Sequence, residues 1–292
     1  YISGGFMKQQ GTIIQNDYKK YNTRINLSSR PVSWLQVGSH ISMSYTRNNR
    51  VPGSNLGTTI LGRALPQRPF DRPYKPDGTY YVGGTDDLKY HNPIQILNEE
   101  DAYLDNYRLL GNVFADISLT RDLVFKTSFG TDLIYTHDYV YYNQNHPYGT
   151  GDGRNVDDRR LLSNLLLENT LHYTKTLGGL GLDLVAGHSF QRQTGSTSYL
   201  DGNGFPAPSF DVIAAASVIN DASTNLYGNA MESYFGRANL NWQDRYLLSL
   251  SMRTDGSSRF APGHRYGYFP SASAGWQISR EKWWMAHRTD LK

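Results

Sequence analysis

The sequence contains no cysteine, which excludes a disulfide framework, cysteine-based zinc sites and thiol chemistry together. It also lacks any apolar run near the 18 or so residues that a membrane-crossing helix requires. The longest candidate, VIAAASVI at 212–219, is under half that length. Any membrane role therefore falls to a β-barrel or to surface association. Charge of one sign is scarce as well. A formal net charge of +3, with Lys and Arg scattered along the chain, gives no basis for nucleic-acid binding. Hydrophobic residues make up only 38%, whereas glycines number 28 and tyrosines 22. Such a turn-rich, tyrosine-rich, helix-poor composition points to an all-β chain. The first residue is Tyr1, with neither an initiator methionine nor a signal peptide, and the pattern does not close before Lys292. The sequence reads as a piece of something longer.

What is present is alternation. In YLLSLSMR (246–253), Tyr246, Leu248, Leu250 and Met252 oppose Leu247, Ser249, Ser251 and Arg253, the period of a strand with one apolar and one mostly polar face. The same pattern marks about ten strands: a fragmentary one around 1–7, then 18–29, 33–46, 107–120, 123–138, 162–176, 180–193, 232–242, 246–255 and 265–279. Most reach ten residues or more, the length a tilted strand needs to cross a bilayer. The polar faces are rich in Ser, Gly and Asn with single charges, unlike the Lys- and Glu-rich face of a sheet in water.

The connections alternate too. Short turns near 28–33, 120–122, 177–181 and 243–244 separate long links at 47–106, 139–160, 194–231 and 256–264. A transmembrane barrel sorts its loops this way, with short turns at one end and long loops at the other. Trp34, Trp242, Trp276, Trp283 and Trp284 fall close to short turns, and tyrosines such as Tyr45, Tyr107, Tyr135 and Tyr268 collect at the other end. Two aromatic girdles follow, the tryptophans forming the belt at one membrane interface.

The stretch SYFGRANLNWQDRYLLSLSMRTDGSSRFAPGHRYGYFPSASAGWQIS (233–279) resembles the barrel signature of SusC/RagA proteins, the TonB-dependent outer-membrane transporters of Bacteroidetes. GGFMKQQGTIIQNDYKKYNTRINLSSRPVSWLQVGSHISMSYT, NPIQILN, RLLGNVFADI and LLLENTLHYTKTLGGLGLDLVAGHSFQ echo the same family in order. The resemblance implies a 22-stranded plugged barrel, of which residues 1–292 would supply about ten strands. The N-terminal carboxypeptidase-like domain, the TonB box, the plug and the closing strands are not found in this sequence. It further implies an importer of glycans or peptides, energised by TonB through the plug and covered by a SusD-like lipoprotein lid. Two alternatives stay open at this level: a siderophore- or cobalamin-type receptor barrel, and a soluble secreted β-rich glycan-binding module.

On the polar faces, Lys126, Asp132, Arg237 and Arg253 are the candidates for lining a lumen or anchoring a plug. By resemblance, the long loops are where substrate and lid would be met, with Arg72, Tyr74, Tyr80, Tyr81, Tyr141 and Tyr142 as candidate contacts. No catalytic constellation emerges, so no enzyme is expected: DGSSRF (255–260) lacks a nucleophile elbow and reads as a tight strand-to-loop structure with Asp255 pairing Arg259. The acids of GGTDDLKY (83–90) and GDGRNVDDRR (151–160) miss the EF-hand spacing, because Arg154 and Val156 stand where acids belong. Solvated loop charge is the ordinary reading there, a loop calcium site the alternative. His40, His172 and His188 lie on separate strands at no metal-ligand spacing, so no cofactor is expected.

Overall fold

The structure, a computed structural model, describes residues 1–51, 60–65, 67, 70, 72–81, 92–147, 149 and 151–288. Ten strands follow one another: β1 (Ile2–Gln10), β2 (Asp17–Val32), β3 (Leu35–Asn49), β4 (Glu100–Ser118) and β5 (Leu123–Tyr142). Then come β6 (Arg154–Leu177), β7 (Leu180–Asn203), β8 (Val218–Trp242), β9 (Tyr246–Ser257) and β10 (Tyr266–Trp276). They form one sheet in chain order, each antiparallel to the next. Among the described residues, three short α-helices lie outside it: α1 (Ile60–Ala64), α2 (Pro93–Asn98) and α3 (Lys282–Arg288).

The register converts the alternation in each strand into two continuous faces. Leu250 stands directly opposite Ala238 and Ala272, and Leu248 opposite Leu240 and Ala274. Across β7 to β3 the same apolar face continues through Leu184, Leu171, Phe125, Ile117 and Leu35. Ser249 and Ser251 pair instead with Asn239, Arg237, Ser273 and Ser271 on the polar face. Among the described residues no second layer covers either face, and Leu250 remains 44% exposed. A water-soluble two-layer module would bury that side chain, and the described residues do not bury it. An apolar face left open along a whole sheet is matched to lipid.

Turn chemistry fixes the short-turn end. Gly178 (φ 53°) and Gly179 (φ 88°) join β6 to β7, two successive left-handed residues of the kind a tight hairpin demands. The β8–β9 turn reaches the same shape without glycine. Gln243 and Asp244 both sit at φ 53°, the Arg245 N–H closes on the Trp242 carbonyl at 3.0 Å, and Asn241 donates to the Asp244 carboxylate at 2.8 Å. In β2 the register shifts between Ser29 and Val32, where Pro31 has no N–H to offer the ladder.

At the opposite end β6, β7 and β8 run much further than their alternation predicts, to 24, 24 and 25 residues. The expected connections 139–160 and 194–231 contract to 143–153 and 204–217. Tyr141 and Tyr142, expected in a loop, close β5 instead, and Asp157 and Asp158 lie within β6, bonded to Arg159 and Arg160. The reason is physical: beyond the bilayer both faces meet water, so sequence alternation fades while backbone pairing continues.

Among the described residues, two buried clusters lie at this end. Ile60, Ile96 and Leu97 pack together with Ile13 and Val51, joining α1 and α2 to the tops of the first strands. Tyr139, Tyr141 and Phe205 form the other, with Tyr103, Ala215 and Ala216 against them. There the Tyr139 hydroxyl (2.6 Å) and the Asn155 side-chain amide (2.8 Å) both donate to the Asp211 carbonyl, clamping the 204–217 connection onto β5 and β6.

Candidate functional site

The polar face is the surface with chemistry to offer. All four charged residues singled out from sequence stand on it, since their register partners do. Lys126 lies opposite Asp116 and pairs with it at 3.3 Å. Asp132 accepts two bonds from the Arg108 guanidinium, at 2.9 and 2.8 Å, the planar fork geometry that makes arginine–carboxylate pairs strong. Arg253 pairs with Asp255 at 2.8 Å and its guanidinium lies 5.6 Å from the Phe235 ring centre. Asp255 is thus engaged by Arg253, its strand neighbour two residues earlier, and not by Arg259 as expected. Both residues share one face of β9, whereas Arg259 lies past the strand end. Arg237, opposite Val185 and Ser251, is exposed and has no ion-pair partner among the described residues. The four do not form one cluster. Lys126 and Asp132 belong to β5, Arg237 and Arg253 to β8 and β9. Arg108 and Asp116 escaped sequence reasoning because a cross-strand pair becomes visible only once the register is known.

Aromatic rings also lie on this face, folded down over glycines. Phe114 stands opposite Gly38, Phe235 opposite Gly187 and Tyr227 opposite Gly195. In each case a Cβ on the glycine would overlap ring atoms, so glycine here makes room for a neighbour's ring.

The apolar face is edged by aromatics. Phe6, Tyr21, Tyr45, Tyr107 and Tyr135 form a ladder across β1 to β5 with successive ring centres 4.9, 6.1, 4.6 and 6.1 Å apart. Immediately beyond it the face turns charged, with Lys19, Arg47 and Asp105, as a passage from lipid to headgroup requires. At the short-turn end, Trp242, Tyr246 and Trp276 pair directly in one row on the apolar face. Trp34 occupies the β2–β3 turn, and Trp283 and Trp284 lie on α3, all three exposed.

Glu281, just past β10, ties that row together. It accepts from the Tyr246 hydroxyl at 2.7 Å and the Trp276 indole at 3.1 Å, with Arg245 at 3.2 Å. These hydrogen bonds hold its carboxyl below the usual value of 4.5. A depressed folded value means that the tie contributes fully above pH 4.5 and is lost as pH falls through that lower folded value. The tryptophan emission of the protein is therefore expected to change on acidification below about pH 4.5, and the change to be absent in Glu281→Gln. Identical acid titrations of the two proteins would refute this.

The predicted loop contacts fall in two groups. Pro73 to Tyr81 folds into a small hairpin in which Tyr74 and Tyr80 bridge, their ring centres 5.5 Å apart. Buried Asn92 fastens it to α2: the side-chain amide donates to the Pro73 and Tyr81 carbonyls at 2.6 and 3.1 Å while its oxygen caps the helix. Arg72, just before the hairpin, and Tyr74, within it, are exposed, and Tyr80 and Tyr81 are half-buried. Tyr141 is 4% exposed against Phe205, so its ring is a packing element and not a free contact. Residues 83–90, with the first acidic candidate for calcium, lie outside the described residues.

No protein-family model matches the chain. Among curated proteins it is 26% identical over 291 residues to TonB-dependent receptor P3 and 28% over 295 residues to TonB-dependent receptor P26, both of Formosa agariphila. It is 25% identical over 311 residues to TonB-dependent receptor SusC of Bacteroides thetaiotaomicron. Each alignment covers 96% of this chain, which spans only 29–30% of these relatives' own length. Among solved structures, the RagAB peptide transporter superposes with a TM-score of 0.78 at 21% identity, over 96% of this chain and 32% of that one. The RagAB importer in its open-open state gives 0.79 over 97% of this chain. The two-faced sheet, the girdled apolar band and these likenesses agree: the chain is a SusC/RagA-like stretch of TonB-dependent receptor barrel, and its place is the bacterial outer membrane.

Proposed function

We propose that this chain forms part of the wall of a TonB-dependent nutrient importer that works with a SusD-like surface lipoprotein. The observation that carries this reading is a ten-stranded sheet with one face for lipid, one for water, and a wall continuing beyond the outer girdle. Its likeness to SusC and to the RagAB transporter supports it. On this reading an oligosaccharide or peptide too large for diffusion porins is captured outside and passes along the polar face when TonB pulls on a plug. The residues on that face bind, orient and release; no bond of the cargo is broken. Arg237, with no ion pair among the described residues, is available to a plug carboxylate or an anionic cargo group, whereas Asp132 and Lys126 are engaged within the wall.

The test is genetic and biochemical. The full-length gene is deleted, growth is measured on oligosaccharide and oligopeptide fractions as sole nutrient, and the tagged native protein is extracted in mild detergent to identify what accompanies it. Loss of growth on one fraction, with a lipoprotein recovered alongside, is expected. Parental growth on every fraction, or a defect confined to iron limitation, would refute the reading.

A further inference from the structure

Just past the aromatic ladder, the outward face of β1 to β3 carries three cations in a row. Lys8 stands directly opposite Lys19, and Lys19 directly opposite Arg47. They share the face of the ladder, because the neighbouring register row on that face is Phe6, Tyr21 and Tyr45. Adjacent strands lie about 4.8 Å apart, so each cation has a like charge at its side, an arrangement that destabilises a sheet. No acid enters the row before Asp105 on β4.

The carboxylates that serve these cations lie deeper in the wall. Lys19 meets Asp17 at 3.4 Å and Arg47 meets Asp105 at 3.8 Å, but the acid side chains are only 19% and 11% exposed, against 38% and 37% for their partners. Asp17 also accepts from the Asn49 amide at 2.6 Å, and Asp105 from the Tyr45 hydroxyl at 2.9 Å. The Arg47 guanidinium sits over the Tyr103 ring, 4.0 Å from its centre, which fixes its place. Lys8 is exposed. The surface that the surroundings meet is therefore positive.

A cavity adjoins the row on each side. Beyond it, Lys19 and Arg47 border a space of about 510 Å³ together with Asp17, Asn49 and Asp101, whose oxygens can accept from sugar hydroxyls. On the membrane side, a groove of about 720 Å³ runs among Tyr21, Thr23, Met43, Tyr45, Leu109 and Leu133, a mostly apolar lining suited to hydrocarbon. A ligand that satisfies all three surfaces has acyl chain below, an anion at the level of the row, and sugar above. Phosphate is the anion that lysine and arginine together hold best.

We propose that Lys8, Lys19 and Arg47 bind a phosphate of the phosphorylated glycolipid of the outer leaflet, with its acyl chain in the groove beneath. This rests on the outer-membrane placement and not on the import reading. A covering segment of the same polypeptide suits the site less well, since it would lay backbone groups against hydrocarbon.

The test uses the full-length protein, extracted from outer membranes and stripped of lipid in detergent. It is titrated with the purified glycolipid, with the same glycolipid after dephosphorylation, and with inorganic phosphate. Lys8→Gln and Lys19→Gln are combined, which leaves Arg47 and its contacts in place. Lys126→Gln with Arg237→Gln removes the same charge from the polar face as control. The dephosphorylated glycolipid, and the lysine variant with the intact one, are each expected to bind roughly tenfold more weakly or worse, and the control variant to bind normally. The stripped lysine variant should unfold no more readily than the unaltered protein, because the repulsion between the two lysines is gone. Equal binding of the two glycolipid forms, or undiminished binding by the lysine variant, overturns the assignment. So does inorganic phosphate binding as tightly as the glycolipid, which would mark an anion site without a lipid. In the native membrane, a photo-crosslinking residue at exposed position 107 of the ladder should give glycolipid adducts, and one at position 110, on the polar face opposite Asp132, should not. Adducts from 107 only to another part of the same polypeptide overturn the assignment. If the lysine variant does not fold, the two glycolipid forms and the adduct decide. Failure of this assignment leaves the import reading standing.

Discussion

Replacing Leu250 with arginine is expected to cost roughly 2–4 kcal/mol of barrel stability, whereas Ser249→Arg, one residue away, costs less than about 1 kcal/mol. Leu250 lies midway along β9 between Tyr246, in the aromatic row of the short-turn end, and Thr254, opposite Tyr234 and Tyr268. Its neighbours across the ladder are Ala238 and Ala272, neither of which can shield a charge. A guanidinium there faces hydrocarbon at the depth where the cost is greatest. At Ser249 the same group enters a polar row with Asn239 and Ser273. Equilibrium unfolding of the full-length protein in phospholipid vesicles measures both. Equal costs for the two variants would mean that the faces are wrongly assigned.

Asn155→Ala is the second large effect. Asn155 is 0% exposed, and its amide shares the Asp211 carbonyl with the Tyr139 hydroxyl. Removing a buried donor costs roughly 1–3 kcal/mol. Because the Asp211 carbonyl belongs to the 204–217 connection, the loss is local and not global. Hydrogen exchange at Ala215, Ala216 and Ser217, whose amides bond within that connection, should accelerate roughly five- to hundredfold. Amides of β9 should be unaffected. Adding Tyr139→Phe should release the connection further, since no donor from the strands then reaches that carbonyl. Unchanged exchange in both variants would show that the clamp lies elsewhere.

The membrane-spanning part of the fold was legible because two solvents write it. Lipid on one side and water on the other force a period of two, and that period places Leu35, Leu248, Leu250 and Ala272 on one face without any knowledge of the register. The turn at Gly178–Gly179 could be read for a similar reason: few residues accept two left-handed conformations in succession. Past the outer girdle those constraints lapse. Nothing in the polar run around Asp157 and Asp158 distinguishes strand from loop, so the outer halves of β6, β7 and β8 were missed. The pairing of Arg108 with Asp132 spans 24 residues of sequence and depends on register alone. The fastening of the 73–81 hairpin by Asn92 was hidden likewise, since an asparagine before proline reads as a simple helix cap.

The rings of Phe114, Phe235 and Tyr227 bear on how anything could slide past this wall. Each occupies the volume that a side chain on the facing glycine would fill, so it lies down on the sheet instead of standing off it. The surface is consequently low in relief at those points and offers flat π faces rather than pockets. Such faces attract sugar C–H groups and peptide side chains alike, weakly and without a preferred orientation. On the import reading proposed above, a surface of this kind acts as a bearing more than a lock: it would lower the friction of transit and leave discrimination to the rim.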